Sequence, residues 1–531
     1  MQAHQSPVTS IRRKSRPFGL KAQASVSLVH LGCARNLIDS ELMLGRMAEE
    51  GLVVTDDTSS AHTVVLNTCS FIGPAREESE GAIRALVEKK KRGEIERVVV
   101  AGCLVQRYKH DLALKFPGVD LFAEISDYRA LARHVRELTE GKSVPAYLAG
   151  PLLREAEREG ARLLSTPQSY AYLRISHGCD HTCSFCAIPS IRGPHRSKAL
   201  PAVVSEAEEL VSSGVKELVL VAEDSTAWGR DIGLELPDLA EALARVEGVL
   251  RVRIMYAYPN RFPWRLTDVM RDHATIVPYL DIPVQHAATP VLRAMKRAGS
   301  GDQVRSILDR LKREVPNITL RTTVLLGFPG ETDADAEELI AFIREYELGR
   351  LGAFTYSPEQ GTSGFDLPGS VPADVAQARC DAVLAERDRV LRRSQEAFVG
   401  KELDVLVDER HEKSRTVVGR AAMDAPEVDL VCAVHDSRAN VGDVVRVRIE
   451  RVDDEMNLVG RENPAPHARS RHERSGQEHG GHQHSAHEHG GEHGGAERGG
   501  HEHGGRQRRP RKHGGGERRG HGPGRSEPEK R

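Results

Sequence analysis

Residues 177–197 read HGCDHTCSFCAIPSIRGPHRS, and they carry three cysteines, Cys179, Cys183 and Cys186, in the spacing Cys-x-x-x-Cys-x-x-Cys. The stretch follows a short β-rich run, YLRIS, so the cysteines fall on a loop after a strand. Three thiolates on one tight loop can hold three irons of a cubane and leave the fourth iron open to another ligand. A zinc site is the competing reading. It would need a fourth protein ligand, for which His177, His181 and His195 lie nearby. Phe185, beside the last cysteine, and the strand-end position weigh toward the cluster.

Working outward from that loop, a βα rhythm runs through YLRIS, ELVLVA, VRIMYA, YLDIP, LRTTVLL and GAFTYS, with helical stretches such as AVVSEAEELVSS and DADAEELIAFIREYE between them. Six successive βα units predict an incomplete (β/α) barrel over residues 165–397, with its active site at the C-terminal ends of the strands. Upstream, SVSLVHL, TVVLN and RVVVA alternate with amphipathic segments, which predicts a separate parallel α/β domain over residues 25–145. Each of these runs ends near a cysteine: Cys33, Cys69 and Cys103. A single cysteine there reads best as a small buried residue. Three at equivalent strand ends point instead to ligands, because the C-terminal edges of adjacent parallel strands converge on one crevice.

Downstream of a charged helix (374–398), the runs KELDVLVDE, RTVVGRAAM, VDLVCAV and DVVRVRIERV alternate with period two, which predicts a small β-barrel over residues 398–463. Residues 464–531 are rich in His, Gly and Arg and nearly devoid of large apolar side chains, a composition expected to stay disordered. Such a tail can bind divalent metal through its imidazoles, or RNA weakly through Arg508-Arg509 and Arg518-Arg519. A basic leader occupies residues 1–24. It lacks the apolar stretch of a secretory signal, and no run approaches the roughly 20 apolar residues that span a bilayer, so a cytoplasmic, membrane-free protein is expected. In that reducing compartment clustered cysteines read as ligands, whereas Cys380 and Cys432 stand alone and are expected to be structural. The net charge of -2 excludes a global field that would draw the chain to nucleic acid or an anionic membrane.

The cysteine loop with Phe185 resembles the radical S-adenosylmethionine superfamily. That resemblance implies a 4Fe-4S cluster whose open iron binds S-adenosylmethionine and whose electron cleaves it. Taken with the N-terminal domain and the terminal β-barrel, which resembles a TRAM domain, the chain from about Ser25 to Glu462 is similar to the methylthiotransferase family. The resemblance implies that Cys33, Cys69 and Cys103 hold an auxiliary 4Fe-4S cluster that carries the sulfur to be inserted. It also offers Glu223 (where the family usually has glutamine), Gln285, Thr323 and Glu331 as contacts to S-adenosylmethionine, alongside Phe185. No protein acid or base is assigned.

The family divides between enzymes that modify a tRNA adenosine and a group, RimO, that modifies the β-carbon of an aspartate in the twelfth small-subunit ribosomal protein. The segment DAPEVD (424–429) and the phrase DIPVQHA resemble the latter. Residues 401–462 carry roughly fifteen Asp and Glu against ten Lys and Arg and no Phe, Tyr or Trp. Such a surface repels phosphate and attracts a basic protein. A non-catalytic iron-sulfur or RNA-binding protein is the reading from another class. The electron donor has no signature here.

Overall fold

The computed structural model describes residues 24–125, 127–150, 162–297 and 299–463. The expected basic leader, up to residue 23, and the His-, Gly- and Arg-rich tail lie outside the described residues.

The first sheet is six-stranded, in the order Val53–Val54, Ser25–His30, Thr63–Thr68, Arg97–Gly102, Leu121–Ala123 and Tyr147–Leu148, every pairing parallel. Its middle strands are apolar on both faces because helices cover both. Val65 and Val99 pack with Ile38, Leu42, Leu131 and Val135 on one side. Val64, Leu66, Val98 and Val100 pack with Ile83, Leu86 and Leu112 on the other. The three long strands match the sequence reading. The three short ones do not announce themselves, since two or three residues show no periodicity, and the last lies beyond the expected domain end at 145.

The second sheet is open, with six parallel strands running from edge to edge in chain order: Tyr170–Arg174, Glu217–Val221, Arg251–Ile254, Ile276–Asp281, Thr319–Leu326 and Arg350–Thr355. Its outer face buries Leu173, Leu218, Leu220, Val252, Leu280 and Val324 against the surrounding helices, and Cys380 belongs to that core. The inner face does something different. Tyr172, Val219, Val221, Met255 and Tyr279 join the apolar cluster of the N-terminal domain, so the two modules share one core.

The third module is a closed five-stranded barrel of Glu402–His411, Thr416–Arg420, Cys432–His435, Leu458–Glu462 and Val444–Val452. The strand Leu458–Glu462, absent from the sequence reading, closes it by pairing with both neighbours. Cys432 is buried in its core.

This barrel is fastened to the starts of the second sheet's strands by buried ions. Glu217 takes Arg253 at 2.6 Å and Arg420 at 2.9 Å. Burial opposes ionisation of Glu217, yet the arginines hold its carboxyl down at about 2. The segment 424–429, expected to add to an acidic outer surface, turns inward instead. Asp424 is bound by Arg350 at 2.7 Å, and Asp429 accepts from Tyr279 Oη at 2.6 Å and lies 3.5 Å from Arg321. Burial raises the Asp424 carboxyl and Arg350 only partly offsets it; the Asp424 and Asp429 side chains are both buried, so neither faces a partner. Glu427 alone of the three acids remains exposed, accepting from Tyr170 Oη.

Candidate functional site

Two glycines allow the cysteines to sit where they do. Gly178, before Cys179, has φ +70, and a Cβ there would lie 2.0 Å from the Pro194 carbonyl oxygen. Gly102, before Cys103, has φ +101, and a Cβ would lie 2.2 Å from Asn67 Oδ1 and 2.7 Å from the Thr68 carbonyl oxygen. Only glycine fits such close approaches at positive φ. The cysteine loop is then closed by Cys179 N–H donating to Gly193 O and Cys186 N–H to Cys183 O.

Cys179, Cys183 and Cys186 line one cavity of about 350 Å³ together with Cys33, which the N-terminal domain contributes. That volume lies within the range of small-molecule sites. Phe185, Glu223, Gln285 and Thr323 line the same cavity. The isolated bridge between Gln285 and Val324 holds the first strand end against the second, with Gln285 at φ +73. Glu331 does not reach the cavity. Its carboxylate caps the Gly327 N–H at 2.8 Å and pairs with Arg379 at 2.9 Å, which makes it a fixture of the turn after Leu326.

Cys69 and Cys103 adjoin Cys33 from the neighbouring strand ends. The Cys69 sulfur stands against Gly32, where a Cβ would lie 3.4 Å from it. Cys103 opens the helix Cys103–Lys115. Burial pushes the Cys69 thiol up to about 12, with the Cys103 sulfur adding to it, and burial raises Cys103 as well. Burial would raise Cys33 too, but the cations of Arg35 and Arg192 and the Asn36 N–H reverse the balance and hold it below the ordinary thiol value. In the other trio burial pushes Cys179 up to about 12 and Cys186 up to about 11. Filling either site with metal therefore expels protons.

Several residues of the site gave no signal in the sequence. Arg35, two positions after Cys33, crosses to the barrel, donating to the Ala222 carbonyl at 3.3 Å, pairing with Glu223 at 3.7 Å and lying 5.0 Å over the Tyr256 ring. Arg192, in the radical-type loop, crosses the other way to Asp39 at 2.7 Å and to the Cys103 sulfur at 3.2 Å. Tyr258 places its hydroxyl 3.9 Å from the Cys183 sulfur and stacks on His181 at 3.7 Å, with Arg297 3.9 Å over its ring. Aromatic and arginine residues are common enough that spacing alone does not single these out. The strand-end position of Tyr256 and Tyr258, after Ile254, was the available cue.

Two of the three histidines offered for a zinc site hold a partner through Nε2. His181 Nε2 is 2.7 Å from Asp224, and His195 Nε2 is 3.1 Å from Ser197 Oγ. Among the described residues no group of three His, Cys, Asp or Glu closes on a single metal ion. A cubane spreads its thiolates over separate corners, whereas one zinc draws its sulfurs to about 2.3 Å. Two oxygen and nitrogen atoms beside the cavity, Glu223 Oε2 and Arg297 Nε, are buried without a partner. Such atoms fit a polar ligand, since buried polar groups are normally paired. Cysteine sulfurs, partnerless polar atoms and an aromatic wall together fit an iron-sulfur cluster with an amino-acid nucleoside.

The family models agree with this layout. The uncharacterized protein family UPF0004 matches residues 25–124, the radical SAM superfamily residues 173–343 and the TRAM domain residues 399–461. The ribosomal protein uS12 methylthiotransferase RimO of Trichlorobacter lovleyi is 40% identical over 81% of this chain and 96% of its own. That of Sorangium cellulosum is 39% identical over 82% of this chain and 90% of its own. Among solved structures, the radical S-adenosylmethionine methyltransferase TsrM from Kitasatospora setae covers 65% of this chain and 74% of its own at 16% identity, with a TM-score of 0.48. The extent and identity of the curated matches decide the matter: the chain belongs to the RimO family of ribosomal protein uS12 methylthiotransferases.

Proposed function

We propose that this protein methylthiolates the β-carbon of an aspartate in ribosomal protein uS12. In this reading Cys179, Cys183 and Cys186 hold the radical-type 4Fe-4S cluster and Cys33, Cys69 and Cys103 hold the auxiliary one. The observation that carries the reading is the shared cavity, where a strand-end cysteine of the N-terminal domain meets all three cysteines of the radical-type loop. When bound, the clusters and S-adenosylmethionine supply the electron, the sulfur and the methyl group that breaking a C–H bond and making a C–S bond require.

The chain's own residues bind and orient. Phe185, Tyr256, Tyr258 and Met255 give the cavity an aromatic and apolar wall that suits a nucleoside and keeps water out. Gln285, in the loop after Ile276–Asp281, and Thr323, within Thr319–Leu326, offer hydrogen bonds. The partnerless Glu223 oxygen is an acceptor for an ammonium group, and the charge that glutamine would lack is balanced by Arg35. At the rim, Phe71, Phe354 and Val428 are exposed and apolar, a fit for a loop of a protein substrate.

The RimO relatives are named for uS12, and the closed barrel keeps an acidic surplus among its exposed side chains even with Asp424 and Asp429 turned inward. A basic ribosomal protein suits that surface better than a phosphate backbone does. Such a substrate places the enzyme in the cytoplasm, and no described helix is long and apolar enough to cross a membrane. The test is the intact mass of uS12 after incubation with anaerobically reconstituted enzyme, reductant and S-adenosylmethionine, with tRNA as the parallel arm. A methylthiolated uS12 is expected. An unmodified uS12 beside a modified tRNA would reject the substrate.

A further inference from the structure

Arg192 is the last residue of the short helix Ile188–Arg192, downstream of Cys186 on the same loop, and its side chain is 4% exposed. Among the described residues, the hydrogen bonds of its guanidinium run to the N-terminal domain. One nitrogen donates to Asp39 Oδ2 at 2.7 Å, and the other to Asn36 Oδ1 at 3.4 Å and to Cys103 Sγ at 3.2 Å. Asp39 is itself fixed by Arg174 at 2.8 Å and by Tyr128 Oη at 2.6 Å. The carboxylate already has a buried cation in Arg174, so neutralising it does not account for where the second arm of Arg192 goes. That arm goes to a cysteine sulfur.

We propose that Arg192 is a positioning residue that lets the radical-type loop set the orientation and electronic character of the Cys103 sulfur, and thereby couples the two cysteine sites. The proposal rests on the reading that Cys33, Cys69 and Cys103 hold the auxiliary cluster. A cationic donor on a ligand sulfur draws charge from it, which stabilises the reduced cluster, and it also fixes the ligand's rotamer. Arg35 completes the exchange in the opposite sense, since it starts beside Cys33 and ends on Ala222 and Glu223. Beside the two cysteine sites, Arg192 and Arg35 thus cross between the modules in opposite directions. A change at one site is felt at the other through hydrogen bonds rather than through distance-averaged charge.

The test uses the full chain, reconstituted anaerobically. In a Cys183→Ala background, which removes the other cluster's signal, the midpoint potential of the remaining cluster is followed by EPR with Arg192, Arg192→Lys and Arg192→Gln. The expected result is a more negative midpoint for Arg192→Gln, with Arg192→Lys between it and the parent. Lysine keeps the counter-charge for Asp39 but not the two-armed geometry, so a shift there is not a symptom of misfolding. With all six cysteines present, the ratio of methylthiolated uS12 to 5′-deoxyadenosine should fall about 10–100-fold for Arg192→Gln. An unmoved midpoint together with an unmoved ratio in both variants overturns the proposal. A Cys183→Ala parent that binds no iron overturns the auxiliary-cluster reading first and the proposal with it, and so distinguishes the two failures.

Discussion

Cys179, Cys183 and Cys186 are held by one loop, whereas Cys33, Cys69 and Cys103 stand at the ends of three strands that are neighbours only because the sheet forms. The first trio is organised by local backbone hydrogen bonds and one glycine. The second depends on the register of Ser25–His30, Thr63–Thr68 and Arg97–Gly102, and hence on the whole N-terminal core. Their electrostatics differ as well. Burial governs Cys179 and Cys186, and Cys69 and Cys103 as well, so the difference rests on Cys33, where two arginines and the Asn36 N–H outweigh it. A local site can be legible in a sequence and tolerate change elsewhere. A site assembled from strand ends is exposed to every change in the sheet.

The largest expected effect separates the two trios by function. Cys183→Ala should abolish 5′-deoxyadenosine formation, measured by chromatography of the quenched reaction. Cys69→Ala should retain it and lose methylthiolated uS12. If both variants kept full product formation, the assignment of two clusters would be wrong.

Next comes the carboxylate that joins the two modules. Asp39→Ala leaves Arg174 and Arg192 facing a buried gap, and removing one partner of a buried ion network costs about 3–5 kcal/mol. Denaturant unfolding should show that loss, and both clusters should be bound less fully. A normal unfolding midpoint would mean that water or a rearranged side chain replaces the carboxylate.

The glycine substitutions should be more selective. Gly178→Ala drives a Cβ into the Pro194 carbonyl and should empty the first trio while the second keeps its iron. Gly102→Ala drives one into Asn67 and the Thr68 backbone and should do the reverse. Iron and sulfide counts with EPR check both. Loss of all iron from Gly178→Ala would count, as it does for Cys183→Ala, against a second cluster held on Cys33, Cys69 and Cys103.

These substitutions also mark how far the sequence could be read. The spacing of the first trio, the long strands and the period-two barrel were all visible, because each is a local pattern. Cys33, Cys69 and Cys103 are proposed as ligands through their equivalent positions, and Gly32, Gly102 and Gly178 directly before Cys33, Cys103 and Cys179 sharpen the inference, since all three take positive φ. Arg35 and Arg192 were invisible for a physical reason: their partners lie in the other module, and no periodicity encodes a contact between separately folded sheets. The same holds for Asp424 and Asp429. Counted along the chain they read as surface acid. Their burial follows from arginines and a tyrosine more than seventy residues upstream in the second sheet. Glu331 failed in the opposite sense, since a strand-end acid looks like a ligand contact until its turn is seen to need capping.

The smallest expected effect compares the modules by pH. Each contains a histidine that burial holds down to about 4, His30 in the N-terminal sheet and His286 in the loop after Ile276–Asp281. For both, the folded value lies below the ordinary one of 6.5, so the unfolded chain takes up more protons in between. Their contribution to stability is complete above about pH 6.5 and is lost as the pH falls toward 4. Unfolding midpoints measured between pH 7 and 5 should therefore fall, and His30→Gln or His286→Gln should each flatten part of that slope. Asp39 and Glu41 near His30 favour its charged form and soften the loss there. Around His286, Asp335 favours the charged form and Arg379 opposes it. Burial and these neighbours together leave both side chains at about 4, so the two histidines should take about equal shares of the slope, and a clearly unequal split would show that one module opens before the other.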